Sequence, residues 1–140
     1  MNYLLDTDIG SYIINQRLDV TEQFQARLRR NDRMFVSTIT CYELLFGAAR
    51  KKSKKLLERV KFFLTFATPV DFGSSEAVAA ARIRDSLEAR GLPSGPLDIL
   101  IAACAITSDA ILVTNNIRHY ENMPTVRLEN WVSPEASGKV

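Results

Sequence analysis

Short, solid apolar runs alternate along this chain with longer segments whose apolar residues recur every three or four positions. The first pattern predicts buried strands and the second predicts helices. Asn2–Leu5, Met34–Val36 and Ala110–Val113 read as strands, Pro69–Val70 as a minimal one and Thr125–Leu128 as a last one. Helices are expected at about Asp8–Asn15, Val20–Arg30, Thr40–Ala49, Lys54–Phe66, Ser75–Ala89 and Pro96–Ser108. Leu57, Val60, Phe63 and Leu64 mark the inward stripe of one helix, and Ile39, Tyr42, Phe46 and Ala49 that of the helix before it. Gly91 stops the alanine-rich helix, and Pro96 suits the first position of the next. Strands alternating with helices give a parallel sheet covered on both faces. Ligands of such sheets bind beyond the carboxyl ends of the strands, at the topological switch point.

Composition narrows the class more than the function. The 140 residues suit one domain with one core, expected over 1–132, with 133–140 a disordered tail. Cys41 and Cys104 lie in apolar stretches and read as small buried hydrophobes, which fits a reducing, cytoplasmic setting. No signal peptide is expected at the start. The longest apolar run, roughly Ile99 to Ile106, is far short of the roughly 20 residues that span a bilayer. Net charge is only +2, but the basic residues are clustered. Arg50, Lys51, Lys52, Lys54 and Lys55 fall together, with Arg59 and Lys61 beyond; Arg27, Arg29, Arg30 and Arg33 form a second group. Each is either a phosphate-attracting patch or a solvated face.

The chemistry sits in acids placed where the pattern does not need them. Asp6 follows the first strand directly, in LLDTD, with Asp8 two residues on. Capping of the next helix by Thr7 or Asp8 accounts for Asp8 but not for Asp6, which is expected to be half-buried. Glu43 fits a capping box with Thr40, yet it also sits beside the apolar stripe, where a carboxylate needs compensation. Asp98 suits the first turn of its helix electrostatically, but the rest of that helix is apolar nearly all round and therefore buried. Thr114, Asn115 and Asn116 end the AILV strand and are either turn residues or neighbours of Asp6. His119 is the only histidine and reads as a surface residue. Structural zinc and a Cys–His nucleophile are therefore both disfavoured. Carboxylates converging on one cleft repel unless a hard cation such as Mg²⁺ joins them, and such a site acts on phosphodiesters.

Taken together, LLDTD, the S-x-x-T-x-x-E-L-x-x-G pattern from Ser37 to Gly47, GPLDILIAACA, LVTNN and the closing ENW resemble the PIN-domain toxins of VapC type, over about residues 1–132. The resemblance implies a three-layer α/β/α sandwich around a parallel sheet of about five strands. It implies an Mg²⁺- or Mn²⁺-dependent endoribonuclease, homodimeric, and inhibited by a cognate antitoxin protein. Asp6 and Asp98 match the principal metal ligands and Glu43 the third acid. Asn116 stands where many members carry a fourth acid, and His119 where related sequences often carry another; Glu121 is nearby but out of register. The combination of GP-x-D and VTNN resembles the subgroup that cuts transfer RNA, notably initiator tRNA in its anticodon loop. Arg50, Lys51, Lys52, Lys54 and Lys55 are the expected RNA contacts.

Two other readings compete. A phosphomonoesterase would use Asp6 as nucleophile and Asp8 as acid/base, but it needs a later lysine, and after Asp98 only Lys139 exists. A catalytically weak RNA- or protein-binding module on the same fold is the alternative that a neutral Asn116 permits.

Overall fold

The computed structural model describes residues 1–134. Its strands are β1 (Asn2–Leu5), β2 (Arg33–Ser37), β3 (Thr68–Val70), β4 (Ile111–Val113) and β5 (Leu128–Glu129). Its helices are α1 (Thr7–Ile14), α2 (Leu18–Arg29), α3 (Thr38–Arg50), α4 (Lys54–Phe63), α5 (Ser74–Ala89), α6 (Pro96–Thr107) and α7 (Ile117–Tyr120). The five strands form one sheet in the order β3-β2-β1-β4-β5, and every neighbouring pair is parallel. Side chains on a strand alternate between faces, so β1 feeds two apolar layers. Tyr3 and Leu5 join Ile9, Val20, Phe24, Val60 and Phe63 on one side, while Leu4 joins Ile83, Leu87, Ala102 and Leu112 on the other. This is the expected α/β/α sandwich.

The order reverses between β1 and β4, which makes their shared carboxyl end the switch point. Asp6 leaves β1 there, its amide donating to the Val113 carbonyl at 3.0 Å, and Thr114 leaves β4 beside it.

Three expectations need correction. The inward face of α3 is Thr40, Leu44 and Ala48; Tyr42 and Phe46 are 61% and 59% exposed. This helix is apolar on two sides, and the face that wins is the one anchored by Ser37, whose hydroxyl accepts from the Thr40 amide at 3.0 Å and caps the helix. Thr40 and Glu43 therefore do not form a capping box. The last strand lies at Leu128–Glu129 rather than Thr125–Leu128, because Thr125 has φ 64° and turns the chain. Finally, α7 follows Asn116 where only a turn was expected. The expected tail falls mainly on 135–140, outside the described residues; Ser133 at its start donates its amide to Asp19 Oδ2 at 3.0 Å.

Candidate active site

Asp6, Glu43 and Asp98, more than thirty residues apart in sequence, line one pocket of about 180 Å³ together with Thr7, Asp8, Ile101, Asn116, His119 and Tyr120. Each acid arrives by a different local rule. Asp6 is 4% exposed, more deeply set than the half-burial expected, and is itself the N-cap of α1, accepting from the Ile9 amide at 2.9 Å. Capping thus falls to Asp6 and leaves Asp8 without that explanation. Glu43 stands one turn into α3, where its Oε1 accepts the Thr7 hydroxyl at 2.6 Å. Asp98 is in the first turn of α6, its Oδ2 only 3.0 Å from where a Cβ on Gly95 would sit.

Burial pushes the Asp6 carboxyl up to about 7, and the charges of Asp8 and Asp98 push the same way, against hydrogen bonds from Thr114 and Ile9. No lysine or arginine lines the pocket among the described residues. The donor set is oxygen-rich and electrostatically uncompensated, which fits a hard divalent cation. In their present rotamers the acids face protein donors, and among the described residues no three His, Cys, Asp or Glu side chains are posed as the ligands of one ion.

The surroundings divide the other expected residues. Asn116 lines the pocket, with Nδ2 donating to Asp8 Oδ2 at 2.6 Å. His119 is exposed as expected, but it is also a wall of the pocket, with Nδ1 3.2 Å from Asp98 Oδ2. Glu121 caps the end of α7 and does not line the pocket. Sequence reading missed Tyr120, which is buried and whose hydroxyl donates to Asp98 Oδ1 at 3.2 Å. It also missed Thr7 as the partner of Glu43. Among the described residues the pocket provides no lysine of the kind the phosphomonoesterase reading needs, and Lys139 lies outside the described residues.

The residues of the first basic cluster border different hollows. Lys51 lines a cleft that adjoins the acidic pocket and shares Thr7, Asp8 and Glu43 with it. Lys52 and Lys54 face a separate hollow beside Leu45 and Leu57. Lys55 faces a larger groove of about 1000 Å³ between α2 and α4, lined by Leu18, Phe62 and Phe66 and by none of Asp6, Glu43 and Asp98. Arg50 is exposed at the end of α3. The second cluster is structural in part: Arg27 pairs with Glu129 at 2.6 Å and lies over the rings of Tyr3 and Trp131, and Arg30 pairs with Asp32.

Comparison with known proteins shows the family. The family model for the PIN domain matches residues 3–123. The chain is 36% identical over 132 residues to ribonuclease VapC2 of Rickettsia felis, covering 94% of this chain and 98% of that one. It is 32% identical over 133 residues to the tRNA(fMet)-specific endonuclease VapC of Salmonella typhimurium, again covering 94% and 98%. The structure of VapBC2 from Rickettsia felis bound to a promoter DNA fragment superposes with a TM-score of 0.86 at 34% identity, covering 94% of this chain and all of that one. The chain belongs to the PIN-domain family, and within it to the VapC ribonucleases. No helix among the described residues is long and apolar enough to cross a membrane.

Proposed function

We propose that this protein is a divalent-metal-dependent endoribonuclease and the toxin of a toxin–antitoxin pair, with Mg²⁺ as its ion and Mn²⁺ as a substitute. One observation carries the reading: acids from the end of β1, from α3 and from α6 share a single pocket at the switch point of the sheet. Asp6, Glu43 and Asp98 would hold the ion. When bound, it supplies charge neutralisation for a phosphodiester and acidity for the attacking water. The chain's own groups do the rest. Burial around Asp6 limits competing water, Thr7 orients Glu43, and Lys51 draws phosphate toward the adjoining cleft. Asn116 bridges to Asp8 and contributes no charge of its own.

The proposed substrate is transfer RNA, with initiator tRNA cut in the anticodon loop as the specific target; a relative named for tRNA(fMet) supports it. The proposed partners are an antitoxin protein, consistent with the VapBC complex among its structural relatives, and a second copy of this chain. The cytoplasm is the proposed compartment. The test is to incubate purified protein with total small RNA in Mg²⁺, Mn²⁺ or EDTA and map the cut ends. Cleavage with either ion, lost in EDTA and lost in Asp98→Asn without unfolding, is the expected result; cleavage that survives both refutes the reading.

A further inference from the structure

The carboxylate of Asp98 is held from two sides by consecutive residues of α7, and the two contacts are unlike. Tyr120 reaches Oδ1 from within the protein: the residue is 2% exposed and packed among Leu4, Ile101, Leu112 and Met123. His119 reaches Oδ2 from the solvent side, with 57% of its side chain exposed. Gly95 approaches the same Oδ2 closely enough that a Cβ there would lie 3.0 Å away.

A phenylalanine at position 120 would fill the same apolar site without burying a hydroxyl. The hydroxyl is therefore a cost to folding unless its partner repays it, and its partner is a pocket acid. The carboxylate oxygen offers only lone pairs and the phenol carries one proton, so the hydroxyl is the donor in this contact.

We infer that Tyr120 is a positioning residue: its hydroxyl pins Asp98 Oδ1 from inside, so that Oδ2, which borders Gly95 and meets the displaceable imidazole of His119 on its solvent side, is the oxygen presented to a divalent cation. The inference rests on reading Asp98 as a cation ligand. Hydrogen bonds that orient a ligating carboxylate commonly matter by about 10- to 100-fold in metal affinity.

The experiment is calorimetric titration of Mn²⁺ into four intact proteins, namely wild type, Tyr120→Phe, His119→Ala and Asp98→Asn, with melting temperatures taken in EDTA. Tyr120→Phe is expected to melt within a few degrees of wild type yet bind Mn²⁺ about 10-fold more weakly or worse. His119→Ala is expected to stay within about threefold of wild type, and Asp98→Asn to lose measurable binding. If Asp98→Asn loses binding while Tyr120→Phe matches wild type, the positioning role is overturned and the metal site stands. Equal losses in Tyr120→Phe and His119→Ala overturn the division between the two contacts. Wild-type protein that binds no Mn²⁺, or Asp98→Asn that binds as well as wild type, overturns the metal site and this inference together.

Discussion

Thr7 donates its hydroxyl to Oε1 of Glu43 at 2.6 Å, tying the first turn of α1 to α3 across the pocket, and the same hydroxyl lies 3.1 Å from that of Thr40. A hydrogen bond to a charged acceptor is worth about 1.5–3 kcal/mol, enough to fix one rotamer of Glu43 against its alternatives. Thr7→Val keeps the shape and removes the donor. Cleavage of RNA in single-turnover assays is expected to fall by roughly 10-fold, with a melting temperature within a few degrees of wild type. Unchanged cleavage would mean that Glu43 orients without help from Thr7.

Asp6 predicts a pH-dependent stability. Its carboxyl is held at about 7 by burial first and by its acidic neighbours second. The folded state thus prefers the proton more than the unfolded chain does, and stability drains away as pH rises from about 4 through 7. Asp6→Asn stays uncharged and keeps a good N-cap for α1. Each pKa unit is worth about 1.4 kcal/mol, and about 1 kcal/mol moves the melting temperature of a domain this size by roughly 4 °C. In EDTA at pH 8 the variant is expected to melt on the order of 15 °C higher than wild type, and the gap should close near pH 4. A gap that is constant across this range contradicts the assignment.

Gly95 is predicted to matter for activity rather than stability. Its φ of −64° is open to any residue, so alanine brings no backbone strain, but its Cβ would press on Asp98 Oδ2 at 3.0 Å. Gly95→Ala is expected to cut the cleavage rate about 10-fold or more, with little change in thermal midpoint. A fully active variant would show that the carboxylate has room to turn without loss.

The basic cluster makes a graded prediction. Lys51→Glu is expected to weaken RNA binding most and to lower the salt slope by about one, because only this lysine borders the cleft beside the acids. Lys54→Glu and Lys55→Glu, which face other surfaces, are expected to change binding less. Dissociation constants measured across a salt series decide it, and equal effects at all three positions would restore the idea of one patch.

Much of this architecture was legible because the strongest signals are local. Asp6 follows an apolar strand, and Asp98 follows a Gly-Pro lead-in on a helix that is apolar all round; both features survive folding unchanged. The alternation of strands and helices also directed attention to the right end of the sheet. What stayed hidden depended on three-dimensional competition. Two faces of α3 are apolar, and the one that turns inward carries the Ser37–Thr40–Thr7 hydroxyl contacts together with buried Leu44 and Ala48. Strand β5 is two residues long, too short for any alternation to show. The helical turn α7 carries no period of its own, so the role of Tyr120 emerges only once α6 is laid beside it.

The central place of β1 has a consequence for the timing of synthesis. Its register with β4 and the bond from the Asp6 amide to Val113 mean that the first strand made is completed by one made some hundred residues later. A nascent chain that has not yet released Val113 holds Asp6 on a strand open along one edge, and Asp98 without the phenol that orients it. A site built in this order needs Val113 and Tyr120, far along the chain, before β1 has both its neighbours and Asp98 its hydroxyl partner.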